Sequence, residues 1–214
     1  MPLPSAEDIA RALAVHPWTE VPALPGRSNH RRAGILVPLV WSRAGLQAVL
    51  THRGGELRRH AGEVSWPGGR PEPGDASLAE TALREAHEEI GVQGATLLGR
   101  LSSMPLATSD FRLEPFVAAV EPASLRPDGV EVQRLLQVDL EALLAADHID
   151  GQPFQWEGRS LLSPAWELAP GIICFGGTAH VLLELLTVLA PLFGRTLPEL
   201  RPGRWRRENL QRRG

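Results

Sequence analysis

Three glutamates, Glu85, Glu88 and Glu89, fall within five consecutive positions of the chain. Their i, i+3 and i+4 spacing puts all three carboxylates on one face of an α-helix. Like charges at that spacing destabilise a bare helix, so the arrangement makes chemical sense if a cation sits among them. Oxygen-only ligands, with neither Cys nor an obligatory His, suit a hard ion such as Mg²⁺ or Mn²⁺. Arg84 adjoins the group and stands one turn from both Glu80 and Glu88, where it can pair with either and orient the set. The glycine-rich turn before the helix, Pro67-Gly68-Gly69, can offer a backbone carbonyl to the same ion and lets an anionic ligand approach the main chain. Alone, such a charged run would read as a solvated helix face. The turn before it, the cap and the closing glycine point instead to a site.

The elements that must position these residues can be read on either side. Ser77-Leu-Ala-Glu80 is a capping box and Gly91 a C-terminal cap, which predicts a helix over 78–90. Upstream, Ala33–Trp41 and Leu46–Thr51 are apolar, β-branched runs split by Ser42-Arg-Ala-Gly45, a strand–turn–strand pattern. The segment from Arg53 to Gly74 is too rich in Gly and Pro for a regular element. Ser5-Ala-Glu-Asp8 opens a short N-terminal helix with Ile9, Leu13 and Val15 on its apolar side. Later strands are expected at 95–102, 113–120 and 132–138, a short helix from Asp139, short extended pairs over 153–175, and a buried helix over 178–193. The expected fold class is therefore α/β (α+β), a mixed sheet between helices. Residues 33–195 form the main domain, preceded by a helix and loop over 1–32 and followed by a basic, flexible tail over 196–214.

Composition narrows the function classes. The 214 residues suit one domain, 43% hydrophobic content supports a core, and 22% charged residues argue against disorder. A formal charge of −3 does not suit a nucleic-acid binder. There is no lysine, so any cation that grips a phosphate is Arg or protonated His. Cys174 is the only cysteine, which leaves no internal disulfide and fits a reducing cytoplasm. The N-terminus lacks the pattern of a secretory signal. The apolar stretch 181–193 reads as too short for a membrane span and carries Glu184. A cytoplasmic chain with no membrane partner is the expectation.

The segment Gly68–Val92 resembles the signature of the Nudix hydrolases, which runs G, five residues, E, seven residues, R-E-U-x-E-E-x-G-U, with U bulky and apolar. Gly69, Arg84, Glu85, Glu88, Glu89, Gly91 and Val92 match it. Asp75 stands where the family has Glu, eight residues rather than seven separate it from Arg84, and Ala86 fills a slot that usually holds something larger. The resemblance implies a Nudix-like α/β/α sandwich. It also implies Mg²⁺ or Mn²⁺ held by Gly69, Glu85, Glu88 and Glu89, and catalysis by these glutamates with Arg84. Upstream, Leu50-Thr-His-Arg53, Arg58, Gly62 and Trp66-Pro-Gly-Gly69 are similar to the extra motif of the coenzyme A pyrophosphatase branch. Gly171–His180 resembles that branch's closing segment, with Phe175 in place of Trp.

That narrower resemblance implies hydrolysis of coenzyme A or its acyl forms to phosphopantetheine and adenosine 3′,5′-bisphosphate. Arg53 and Arg58, with Gly62 and Gly68, would then contact substrate. Glu114, Glu121 and Glu131 are candidates for a further carboxylate, each read more readily as a surface residue. His87 falls on the far side of the helix wheel and is read as structural, and Trp66 as packing beside the turn. Two other readings stay open: the same chemistry on another nucleoside diphosphate derivative (ADP-ribose, a dinucleotide, a capped RNA end), and a non-catalytic nucleotide-binding module. A homodimer is left open.

Overall fold

The computed structural model describes residues 2–54, 62–156 and 158–205. In chain order the elements are α1 (Ala6–Val15), β1 (Arg31–Ser42), β2 (Gly45–Arg53), β3 (Val64–Ser65), β4 (Gly68–Gly69), α2 (Leu78–Ile90), β5 (Thr96–Arg100), β6 (Met104–Pro105), β7 (Phe111–Ala119), β8 (Val132–Asp139), α3 (Leu140–Leu144), β9 (Ile149–Trp156), β10 (Arg159–Ala169), β11 (Ile172–Cys174), α4 (Gly176–Leu189) and β12 (Leu200–Pro202).

The main sheet runs β3-β2-β1-β7-β5, with β8 on β2, β4 on β1 and β6 on β7. It is mixed because β1 lies parallel to β7 and antiparallel to β2. The pairing of β1 with β2 covers only the turn end, from Leu39↔Ala48 to Ser42↔Gly45. Past that point the two strands part, and the wedge between them is filled from the loop: β3 pairs with β2 at Thr51 and His52, and β4 pairs with β1 at Gly34 and Ile35. The Gly68–Gly69 turn is thereby built into the sheet.

Alternation along β1 sorts its side chains to two faces. Ile35, Val37 and Leu39 join one core cluster with Leu46 and Leu50 of β2, Ile9 and Leu13 of α1, and Leu182, Leu185 and Leu186 of α4. Leu36 and Val40 join the other, with Ala82, Ala86 and Ile90 of α2. Helices thus cover both faces, the α/β/α arrangement the sequence implied. A second sheet, β11-β10-β9-β12, was foreseen only as short extended pairs. Its strand β12 lies within the segment expected to be a flexible tail, and pairs with β9.

Two details differ from expectation. Val15 is 83% exposed, so only Ile9 and Leu13 serve the apolar side of α1. The last helix begins at Gly176, so the helical run Gly176–Phe193 has 18 residues and a mean hydropathy of 1.5, long and apolar enough to cross a membrane. The reading of 181–193 as too short is corrected accordingly. Half of that run is buried inside the fold as a core helix.

Candidate functional site

Helix α2 carries the carboxylates, and its ends are fixed as the sequence implied. Ser77 accepts the amide of Glu80, and Gly91, at φ 70°, closes the C-terminus. The box is only half made, because Glu80 accepts from Ala76 N at 2.8 Å rather than turning back to Ser77. Gly34 of β1 lies under the helix, where a Cβ would run into the Leu78 carbonyl. This close approach suits the small Ala82 and Ala86, both fully buried, and brings Glu85 and Glu89 down beside β4. Gly68 has φ 150°, a conformation L side chains rarely adopt, and a Cβ there would strike the Gly34 carbonyl and Ile35.

Glu89 is buried, and its Oε2 accepts the Gly68 amide at 3.1 Å. Its Oε1 lies 3.7 Å from Arg53 Nη1. Loss of water pushes its carboxyl up to about 7, against the Gly68 amide and Arg53, which pull it down. Glu85 lies against Gly69, where a Cβ would overlap its carboxylate. Burial raises its pKa too, opposed by Arg84, with Glu88 and Glu131 adding repulsion. Glu88 is the outer member, its side chain 56% exposed and paired with Arg84 Nη1 at 3.2 Å.

Arg84 is the hub. It donates from Nε and Nη2 to the two Asp75 oxygens (3.1 Å each), from Nη2 to Glu85 Oε1 (3.1 Å) and to the Arg70 carbonyl (3.0 Å), and from Nη1 to Glu88. The expected alternative pairing with Glu80 is not made. Asp75 also accepts from Thr81 Oγ1 and the Glu72 amide, and the Arg84 guanidinium lowers its pKa to about 2. Asp75 therefore ties the turn to the helix, a role its position in the motif hinted at but could not specify.

Other expected residues fall as follows. Arg53, at the end of β2, is turned onto carboxylates, with Nη2 3.0 Å from Glu131 Oε2 besides its approach to Glu89. Gly62 sits at a positive-φ turn with its backbone facing His52. Arg58 lies outside the described residues. Gly68 serves the site from within, through its amide. His87 bonds the Val92 carbonyl through Nδ1 at 3.0 Å, the structural part assigned to it. Trp66 is buried and donates to the Thr178 carbonyl at 3.1 Å, which joins the PGG turn to the later Gly-Gly-Thr-Ala segment.

Of the later glutamates, Glu131 is brought to the site. It is presented by a loop in which Asp128 accepts the amides of Val130, Glu131 and Val132. Glu121 is exposed at the start of a 3-10 turn. Glu114 is not a surface residue: only 2% exposed, it is held by Arg32, Arg100 and Ser103, and Arg112 joins through Ser103. That network seats the segment after α1 on β7, since Arg112 also donates to the carbonyls of Val21 and Asn29.

Glu85, Glu88, Glu89 and the Gly69 carbonyl make an all-oxygen donor set that fits a hard divalent ion. The burial of Glu89 is itself an argument for the fit, because a cation would relieve the cost of ionising it. Among the described residues no three such side chains already stand as a ligating cluster.

Residues 30–156 match the model of the NUDIX domain. The chain belongs to the Nudix family. It is 38% identical over 120 residues to the Nudix hydrolase NudL of Yersinia enterocolitica serotype O:8, a match covering 54% of this chain and 60% of that protein. The NudL of Yersinia pestis (strain Pestoides F) is 35% identical over 135 residues, covering 61% and 66%. The chain thus spans less than two thirds of the length of these relatives. Among solved structures, the NUDIX domain of Shewanella oneidensis NrtR complexed with ADP-ribose is 18% identical, with a TM-score of 0.43 over 64% of this chain and 86% of that one. A C. elegans Ap4A hydrolase is also 18% identical, with a TM-score of 0.42 over 51% and 80%.

Proposed function

We propose that the chain is a divalent-cation-dependent pyrophosphohydrolase that cleaves the diphosphate of coenzyme A or its acyl forms. The products are 4′-phosphopantetheine, or its acyl form, and adenosine 3′,5′-bisphosphate. The observation that carries this reading is the pairing of the α2 carboxylates with the Gly68–Gly69 turn, locked by Glu89 to Gly68 and by Arg84 to Asp75. Membership of the Nudix family supports the chemistry, and the upstream motif supports the substrate class.

A diphosphate resists attack because its negative charge repels the nucleophile. Glu85, Glu88, Glu89 and the Gly69 carbonyl would hold Mg²⁺ or Mn²⁺, which when bound would supply positive charge and a more acidic water. The chain's own residues do the rest. Arg84 holds Glu85 and Glu88 in register, and Gly68 fixes one Glu89 oxygen so that the other faces the site. Glu131, paired with Arg53 beside the ligand set, is the carboxylate left outside the cation's ligands to act as base.

The test is a substrate panel with purified protein and Mg²⁺ or Mn²⁺: coenzyme A, acetyl-coenzyme A, ADP-ribose, NADH and a diadenosine polyphosphate. Preferential release of adenosine 3′,5′-bisphosphate supports the proposal. Faster cleavage of a substrate without a 3′-phosphate keeps the chemistry and overturns the substrate. No turnover of any compound overturns the activity and favours a binding module.

A further inference from the structure

Arg53 is paired with Glu89 and Glu131, which directs attention to the other cations of this face. Two arginines stand apart from the ion-pair pattern of the rest of this face. Arg31, the first residue of β1, and Arg70, the residue after β4, both lie over the ring of Phe111, at 4.7 and 4.8 Å from its centroid. Their separation therefore cannot exceed the sum of those distances. Both are exposed, and among the described residues neither guanidinium has a carboxylate partner.

Three acids of this part of the fold have other partners. Asp110 accepts the Ser28 amide, Asp75 is taken by Arg84, and Glu114 by Arg32 and Arg100. Two like charges held against one ring, neither in an ion pair among the described residues, make a positive spot at a fixed place. Its frame is rigid: Arg31 and Phe111 are partners in the parallel β1–β7 register, and the Arg70 carbonyl is bonded to Arg84. It also lies at a defined distance from the carboxylates. Gly69, which touches Glu85, pairs with Gly34, and Arg31 is three residues further along β1, about 10 Å at the rise of a strand.

From this geometry we infer that Arg31 and Arg70, set on Phe111, form a subsite for a phosphomonoester carried by the substrate at a distance from its diphosphate. Guanidinium groups suit such a dianion, offering forked N–H donors together with charge. The inference deepens the proposed function: it assigns recognition of the nucleoside 3′-phosphate to these two residues, where the sequence pointed to Arg53 and Arg58.

The experiment is calorimetric binding of adenosine 3′,5′-bisphosphate and of 5′-AMP, without turnover, to the wild-type chain and to the Arg31→Gln/Arg70→Gln double variant. Thermal melting of each protein verifies its fold, and the single variants stand in if the double one melts early. The expected result is binding of the bisphosphate at least tenfold tighter than of 5′-AMP by the wild type, with that preference lost in the variant. Equal affinity for the two nucleotides in the wild type, or a preference that survives the substitutions, overturns the inference. Because no catalysis is involved, a chain that hydrolyses nothing can still show the preference, and an active one can lack it.

Discussion

The main-chain amide of Gly68 donates to Oε2 of Glu89 across 3.1 Å, joining the strand-borne turn to the helix at the most buried point of the site. Either protonation state of Glu89 can accept that bond, so the link persists while the carboxyl titrates. It leaves Oε1 facing Arg53.

Gly68→Ala should therefore damage both frame and function. A Cβ at φ 150° meets the Gly34 carbonyl and Ile35, backbone that cannot yield cheaply. We expect a loss of about 1–3 kcal/mol in urea unfolding together with near-complete loss of turnover. An alanine variant of wild-type stability would contradict the wedge geometry.

The pH dependence of the cation-free protein follows from Glu89. Its carboxyl lies at about 7 in the folded chain, against an ordinary 4.5, and burial shifts Glu85 in the same direction. A raised carboxyl means that the folded state binds the proton more tightly than the unfolded one. Its stabilising contribution is complete below about pH 4.5 and is lost as pH rises through 7, on the order of 3 kcal/mol for Glu89. Melting temperature measured in chelator should fall from pH 5 to pH 8, and Glu89→Gln should flatten most of that slope. A variant that keeps the full slope would place its origin elsewhere.

Asp75 titrates in the opposite sense. Hydrogen bonds from Arg84 lower its pKa from 3.8 to about 2, so its contribution is present above 3.8 and disappears as pH falls through 2. Asp75→Asn should remove that acid limb. By loosening the hub that orients Glu85 and Glu88, it should also lower turnover about 10–100-fold. Steady-state rates at saturating Mg²⁺, beside acid unfolding curves, check both.

Glu114 is a stability residue, held by Arg32, Arg100 and Ser103. Glu114→Gln leaves the half-exposed Arg32 and Arg100 facing a buried neutral amide, and should cost about 1–3 kcal/mol. Chemical denaturation measures the loss. A change under 1 kcal/mol would show that the network is far better solvated than its burial implies.

Helix α2 was legible to the residue because its boundaries are local: a serine that caps, a glycine that can adopt φ 70°, and good helix formers between. The carboxylate face came from the same periodicity. Strands β3 and β4 were not legible, since two-residue strands have no pattern of their own and exist only because β1 and β2 part company. For the same reason the burial of Glu114 and the ion pairs of Arg53 were not foreseen. A buried glutamate and a surface one look alike in sequence until the arginines that meet them, here from β1, β2 and β5, are brought together by pairing across dozens of residues.

The bond from Trp66 to the Thr178 carbonyl bears on how this protein can be inherited and cut. The segment that matches the NUDIX domain ends at residue 156, yet the turn it contains is tethered by a residue beyond that limit. One face of its sheet is also roofed by Leu182, Leu185 and Leu186. The matched segment and the unit that folds are therefore different lengths of chain. A gene fragment trimmed to the first would encode the chemistry without the scaffold that keeps it in place.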